Sequence, residues 1–258
     1  MPKITPKNKT VLDLKGLHLY HAGWSNCSMR VRMTLEEKGL PWKSHHLDTR
    51  AGEHITPEYF GINPNGLVPT LVHDGDVWIE SADIIRYLDD TFPEPRLTPS
   101  GDRELAQLSE WTNLASAIHV SAVKTYMYIA QSHKRRKKTA AELERYRELQ
   151  SNEELLAFHA TTSSEEGFTE EDRSNAVSLL HDAFSRIDAY LAEHLWLAGD
   201  EFSFADITWV PLYYTLERAG YSFDRYENVK NWTRAIAKRP SYKKAVLRWF
   251  DGPPGNDG

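Results

Sequence analysis

Residues 17–39 read LHLYHAGWSNCSMRVRMTLEEKG, and the order of elements in this stretch sets the start of the fold. Leu17-His18-Leu19-Tyr20 alternates apolar and polar residues, the period-two pattern of a half-buried strand. Cys27, Val31 and Leu35 then fall at i, i+4 and i+8 on one helical face, and Gly39 supplies a C-terminal stop. Trp24-Ser25-Asn26-Cys27-Ser28 therefore occupies the junction between the first strand and the first helix. A helix start offers unsatisfied amide donors and about half a positive charge, so it stabilises an anion. Two chemistries follow. Either Cys27 is the reacting thiolate, or a hydroxyl such as Ser25 donates to the thiolate of a bound thiol. A structural reading stands beside both: Ser25 or Asn26 caps the helix, and Cys27 packs inward as a small apolar residue.

Further along, Lys43 to Asp48, bounded by Pro41 and Thr49, is a second short strand candidate. Val68-Pro69-Thr70-Leu71-Val72 and Val77-Trp78-Ile79 flank Asp74-Gly75, the signature of a tight hairpin. Ser81, Ile84, Ile85 and Leu88 repeat at i, i+3, i+4 and i+7, an amphipathic helix ending before Pro93. This order predicts a small α/β domain with a sheet part parallel and part antiparallel. A proline at position 69, ahead of a strand, is best explained by a cis Val68-Pro69 bond that exposes the preceding backbone to an extended ligand. Glu80-Ser81 opens the next helix. Ser81 is expected to cap it and offer an amide to a carboxylate, with Glu80 facing an amine; a plain cap with an exposed acid is the alternative.

After Pro93-Glu94-Pro95 the composition changes and convincing strands cease, so the remainder is expected to be all-helical. The expected layout is a flexible tail over 1–16, the α/β domain over 17–92, a linker over 93–101, a helical domain over 102–248 and a second flexible tail over 249–258. Helices are expected from Leu105 to about Gln131, from Asn175 to His194 and from Asn228 to Lys238. Ser203-Phe204-Ala205-Asp206 has the capping-box arrangement, and Pro211 within the following apolar segment predicts a bend. Residues from about 133 to 172 are charged and poor in large apolar side chains, which suggests helical extensions or a mobile excursion.

With 258 residues and 11% aromatic content the chain can bury a core, and one cysteine excludes an internal disulfide framework or a thiolate-rich metal site. No uncharged apolar run approaches the ~18 residues that span a bilayer, and the N-terminus lacks the apolar core of a signal peptide, so a cytoplasmic protein is expected. A net charge of −6 does not favour nucleic acid. The basic run Lys134 to Lys138 reads as a solvated helix end, with a basic patch for an anionic partner as the alternative.

Taken together, Ser25-Asn26-Cys27-Ser28 with Arg30-Val31-Arg32, Ile62-Asn63-Pro64, Val68-Pro69-Thr70-Leu71, Glu80-Ser81 and the box at Ser203 to Asp206 resemble the glutathione transferases. The likeness covers most of residues 17 to 245. Within that superfamily the Ser-x-Cys-Ser pattern, Pro95-Arg96-Leu97 and Val210-Pro211 are similar to the zeta class. The first-helix pattern also resembles bacterial tetrachlorohydroquinone reductive dehalogenases. The resemblance implies a thioredoxin-like domain followed by a helical domain, a homodimer, and glutathione as co-substrate with no metal. It implies that Val68, with Pro69 fixing its turn, pairs with the cysteinyl part of glutathione. Glu80 and Ser81 would hold the γ-glutamyl end, and Ser25 would hydrogen-bond the sulfur. Asn26 stands where the zeta pattern has a second serine and keeps an amide donor. Cys27 aligns with a cysteine that resolves a glutathione adduct in the dehalogenases.

The electrophile pocket is expected from Trp24, from the helix bearing Trp111, His119 and Tyr126, and from the helix bearing Tyr213, Tyr214 and Arg218. For the aromatic residues core packing is the competing role. Ala122 replaces a glutamine of the zeta site, and Arg218 matches a zeta arginine able to grip a carboxylate. The leading expectation is a glutathione transferase whose thiolate displaces a leaving group from a hydrophobic, aromatic electrophile, by β-aryl ether cleavage or reductive dehalogenation. A zeta-type cis-trans isomerase and a non-catalytic binding or scaffold protein are the alternatives, because a fold does not fix an activity.

Overall fold

The computed structural model describes residues 3–131, 137–150 and 152–250, the side chains of Arg145 and Leu149 excepted. The chain forms two compact units, one of residues 1–96 with 237–258, the other of residues 97–236.

The first unit is built on five strands: β1 (Lys3–Ile4), β2 (Leu17–His21), β3 (Trp42–His46), β4 (Thr70–His73) and β5 (Asp76–Trp78). Their order in the sheet is β1-β5-β4-β2-β3, with β2 and β3 parallel and the remaining pairs antiparallel. The parallel pair needs a crossover, and α1 (Asn26–Glu37) supplies it. The antiparallel pair β4–β5 needs only the turn at Asp74 (φ 50°) and Gly75 (φ 88°), where both central residues take the positive φ of a type I′ hairpin. Leu19, Val31, Leu35 and Leu71 join Ile84 and Leu88 of α3 (Ser81–Thr91) in the core, all fully buried. A second cluster of Val11, Tyr59, Ile62, Val72 and Val77 involves the short helix α2 (Pro57–Phe60). This is the expected mixed α/β, thioredoxin-like unit.

Three boundaries differ from the expected layout. Residues 3–16 are not a free tail: β1 extends the sheet edge, Val11 is buried, and the Asn8 N–H donates to Gly61 O at 2.8 Å. One apolar side chain and a row of backbone bonds suffice to dock a segment that looks merely basic. The C-terminal residues belong with the first unit, not with the helical one. They form α11 (Pro240–Tyr242), a π turn (Lys243–Leu247) and α12 (Arg248–Phe250). Arg239 makes a bidentate pair with Glu37 at 2.7 and 2.6 Å, Ser241 donates to the same carboxylate, and Trp249 is buried. Only 251–258 of the expected second tail lies outside the described residues. The linker is also tied down. Lys38, buried and paired with Asp89 at 2.6 Å, donates to Phe92 O and Pro95 O, so the first unit extends to Arg96.

The second unit is helical: α4 (Asp102–Ala117), a π turn (His119–Lys124), α5 (Thr125–Ala130), α6 (Ala140–Leu149), α7 (Glu153–Ser163), α8 (Glu170–Leu191), α9 (Phe204–Arg218) and α10 (Glu227–Ile236). The described part of the charged stretch carries α6 and α7, with Leu155 and Phe158 of α7 and Tyr146 of α6 buried. Residues 134–136 of the basic run lie outside the described residues, and Lys137 donates to Ser164 O at 2.6 Å. α9 is buried along almost its whole length, from Phe204 to Leu216. It opens on the predicted capping box and runs through Pro211 without interruption.

Candidate active site

Strand register draws the separated motifs of the first unit to one end of its sheet. Tyr20 of β2 faces Thr70 of β4, and Leu71 faces Trp78 of β5. The C-terminal ends of β2 and β5 therefore lie beside the N-terminal end of β4. The chain leaves β2 toward Ser25, enters β4 from Val68-Pro69, and leaves β5 toward Glu80-Ser81.

Ser25 is the N-cap of α1, and its Oγ accepts the Ser28 N–H at 3.3 Å. The capping role expected of it is thus realised. Accepting uses a lone pair and leaves the hydroxyl proton, which no acceptor among the described residues takes. The preceding turn is closed by Ser25 N–H to Ala22 O at 3.3 Å, while Ser28 Oγ accepts the Ala22 N–H. Asn26 is the first residue of α1 and is buried, so Ser25 alone is the cap. Cys27 is half-buried, neither fully packed nor fully open. Arg30, one turn on, is buried. Burial lowers its pKa, while the negative charge of a Cys27 thiolate would raise it, so the two residues are electrostatically coupled.

The Val68-Pro69 bond is cis, as expected. The turn before it hangs on a buried polar network. Asn63 Nδ2 donates to Leu67 O and Thr70 Oγ1, both at 2.9 Å, and Tyr59 OH donates to Leu67 O at 2.6 Å. Burial pushes the Tyr59 hydroxyl well above the ordinary tyrosine range, so it serves as a permanent donor. Among the described residues nothing pairs with the backbone N–H and C=O of half-buried Val68. The sequence motif Ile62-Asn63-Pro64 does not by itself assign Asn63 this anchoring role. A polar residue between Ile62 and Pro64 is the signal that a turn there needs a side-chain anchor.

At α3 the expected cap is displaced by one residue. Glu80 is the N-cap, with φ 63° and ψ 115° and no side-chain capping bond, and Ser81 is already helical. Ser81 therefore does not cap, because the chain turns one residue earlier through a positive φ. That backbone costs a non-glycine residue about 1–3 kcal/mol, and such strain clusters at binding sites. It leaves the first-turn amides of α3 without a side-chain partner, while Asn65 Nδ2 touches Glu80 Oε1 at 3.4 Å.

The residues expected to line an electrophile pocket divide between the units. Trp24, in the first, is half-buried with the Arg50 guanidinium 5.3 Å from its ring centroid. In the second, Trp111 is buried, edge-on to Tyr190 and Trp209, and its carbonyl accepts Trp209 Nε1–H at 3.0 Å, so it is a core residue. Tyr214 is likewise buried. His119 is half-buried at the start of the π turn, and Arg218 is exposed at the end of α9. Tyr126 lines a small depression with Ile129, Ala130 and Arg173 and meets Tyr221 edge-on at 5.4 Å. Among the described residues no cluster of His, Cys, Asp and Glu is placed to hold a metal ion, and no helix is long and apolar enough to cross a membrane.

Comparison with known proteins agrees with this geometry. The N-terminal domain of glutathione S-transferases matches residues 24–91, and the C-terminal domain of the same family matches residues 117–240. A glutathione S-transferase named TCHQD from Arabidopsis thaliana is 25% identical over 92% of this chain and 91% of its own length. Glutathione S-transferase 1 of Dianthus caryophyllus is 39% identical over a shorter match, 41% of this chain and 48% of that protein. Among solved structures, the β-etherase LigF from Sphingobium sp. strain SYK-6 superposes with a TM-score of 0.76 and 27% identity, covering 89% of this chain and 98% of LigF.

Proposed function

Because this chain belongs to the glutathione S-transferase family, we propose that glutathione binds at the end of the first unit's sheet and that Ser25 holds its sulfur as a thiolate. The observation that carries this reading is the conjunction, among the described residues, of a Ser25 proton that no acceptor takes with a Val68 backbone that nothing pairs, at neighbouring strand ends. An extended peptide ligand pairs with such a backbone as an added strand. Glutathione is that kind of ligand: its cysteinyl amide and carbonyl meet Val68 beside Pro69, which sets the sulfur near the start of α1. Its γ-glutamyl carboxylate suits the open amides at Ser81, and its ammonium suits the Glu80 carboxylate.

The hydroxyl donor and the helix-end potential together favour thiolate over thiol, which yields a nucleophile at neutral pH. We take the reaction to be displacement at an aromatic electrophile. The glutathione sulfur forms a C–S bond as the C–O bond to an aryloxide or the bond to a halide breaks, and the leaving group departs with the electron pair. In the halide case Cys27 then attacks the adduct sulfur, the released aryl carbon takes a proton, and a second glutathione clears the resulting mixed disulfide as glutathione disulfide. The relatives named for β-etherase activity and as TCHQD support these two leaving groups. Assembly as a homodimer is part of the same proposal, checked by sedimentation.

The direct test is a glutathione-dependent product screen over aryl ethers, halogenated hydroquinones and maleyl dicarboxylates. Release of aryloxide or halide with stoichiometric thioether or disulfide supports the reading. Turnover of the maleyl substrate alone would replace it with isomerisation, and absence of any glutathione binding would leave a scaffold role. Cys27→Ser separates the two leaving groups: accumulation of a glutathionyl arene marks dehalogenation, and undisturbed release marks ether cleavage.

A further inference from the structure

Arg32 lies on α1 and is fully buried, yet no carboxylate pairs with it among the described residues. The acids that follow it on the helix are engaged elsewhere, Glu36 with Trp42 and Lys244 and Glu37 with Arg239 and Ser241. A buried cation without an ion-pair partner is costly, and an apolar side chain of similar size would satisfy packing better. Its donors show what the guanidinium is for. Nη1 donates to Ala22 O at 3.0 Å, Nη2 to Gly23 O at 2.7 Å, and Nε to Ala245 O at 2.7 Å. The first two acceptors are successive carbonyls of the turn between β2 and Ser25. Ala22 O is also the acceptor that closes this turn onto the Ser25 N–H.

The third acceptor belongs to the C-terminal segment, which forms the floor of the same turn. A Cβ on Gly23 would fall 1.9 Å from Trp249 O, so the turn is pressed directly on that backbone. The Trp249 ring lies 5.7 Å from the Arg32 guanidinium and meets His21 edge-on at 4.6 Å. The remaining partner, His21 Nδ1, accepts from Arg32 Nη1 at 3.0 Å, with its other nitrogen turned to Ser44 Oγ at 2.8 Å. The Gly23 N–H is taken by His46 Nε2 at 3.2 Å. The N–H and C=O of both Ala22 and Gly23 are thereby held, by Ser28 and Arg32 of α1 and by His46 of β3.

We propose that Arg32 is a positioning residue for the thiolate site, fixing with its planar fork the turn that presents Ser25 and locking that turn to residues 245–249. The proposal rests on the reading that Ser25 stabilises the glutathione sulfur. Arg suits the task because a guanidinium spans two adjacent carbonyls in fixed geometry, which an ammonium does not. Placing a hydroxyl within a fraction of an ångström of a sulfur is what separates a useful donor from a weak one. The charged and titratable groups around the turn include Cys27 and Arg30 on α1, His21 on β2, His45 and His46 on β3, Asp48 and Glu53 beyond β3, and Arg50 beside Trp24. Burial and Arg32 lower the His46 pKa against the opposite pull of Asp48 and Glu53, and burial with Arg32 holds His21 down to about 2, so the His21 ring stays neutral at physiological pH.

The test is the ultraviolet absorbance of the thiolate of bound glutathione, titrated with pH for the full chain and for Arg32→Met, Arg32→Lys and Gly23→Ala. The parent is expected to hold the thiolate to lower pH than free glutathione does. Arg32→Met is expected to move the midpoint up by about one pH unit, so that kcat/KM falls about ten-fold on the acid side and recovers at alkaline pH. Glutathione affinity is expected to change by no more than about three-fold, because Val68, Glu80 and Ser81 are untouched. Lysine is expected to restore less than half of the shift, since it keeps the charge and loses the fork. Gly23→Ala keeps Arg32 and displaces the same turn, so it decides the matter if the arginine variants do not fold, and the same upward shift is expected. An unchanged midpoint in the folded variants, with only the melting temperature lowered, would overturn the proposal. Full rescue by lysine would overturn it too, in favour of charge alone. A parent that binds glutathione without any thiolate band would instead defeat the Ser25 reading, and that failure is recognised before any variant is made.

Discussion

Among the described residues two helices take a serine as their N-cap, α1 and α9, and they use it in opposite ways. At α9, Ser203 Oγ accepts the Ala205 N–H at 3.2 Å and donates to Asp206 at 3.3 Å, and the same carboxylate takes the Ser203 N–H at 3.0 Å. Asp206 also accepts Leu197 N–H at 3.0 Å and Trp232 Nε1–H at 2.8 Å, so every polar group of that start is engaged and buried. At α1, the third position after Ser25 is Ser28 in place of an acid, and the Ser25 proton is not taken up by any described residue. One start is closed and serves folding. The other is left open, held from behind by Arg32, and is suited to a ligand. A serine cap alone does not reveal function; the residue three places on decides whether the hydroxyl has anything left to give.

The contrast predicts different consequences for the same kind of change. Asp206→Ala strands four buried donors and is expected to cost about 4 kcal/mol or more of stability, read by urea unfolding or by loss of soluble protein. Glutathione turnover per folded molecule should be preserved. Burial pushes the Asp206 carboxyl up to about 6 against the pull of its four donors, a sign of how deeply the box is enclosed. Ser25→Ala is expected to do the reverse, lowering turnover about 10²-fold, near 2.7 kcal/mol in the barrier, with a stability change of about 1 kcal/mol or less. A large stability loss without a turnover effect would make the two caps alike.

Acid should also find the α1 end first. Burial, with the nearby Arg32, holds the His21 pKa down to about 2 from 6.5, so the native state stays neutral while the unfolded chain takes up a proton below 6.5. Stability from this group is complete above that pH and falls as pH drops, by about 2 kcal/mol between pH 7 and pH 5. His21→Asn, scanned by chemical denaturation over that interval, should flatten the slope. The smallest effect is expected from Ser203→Ala, about 1 kcal/mol, because the Asp206 carboxylate keeps its other donors.

Much of this was legible in the sequence where a local rule suffices. Asp74-Gly75 demanded positive φ at two positions, Gly39 stopped α1, and Ser203 with Asp206 spelled the capping box. The site motifs were visible for the same reason, since the roles proposed for Val68-Pro69 and Ser25 rest on their own backbone and hydroxyl. What stayed hidden depends on partners far along the chain. Arg32 reads as one more charge on an amphipathic helix until Ala22, Gly23 and Ala245 supply its acceptors. Residues 3–13 look like a basic tail because backbone pairing to β5 leaves no side-chain pattern. Glu80 looks like an ordinary acid before a serine cap, since nothing in its identity announces a positive φ.

The measurement that bears most directly on the open α1 start is the thiolate titration of bound glutathione in the parent and in Ser25→Ala, at saturating ligand. The account predicts a thiolate midpoint well below that of free glutathione in the parent, and its return toward the free value, by about one pH unit or more, in the variant. An identical, depressed midpoint in both proteins would contradict it, and the sulfur would then owe its charge to something other than the serine that caps α1.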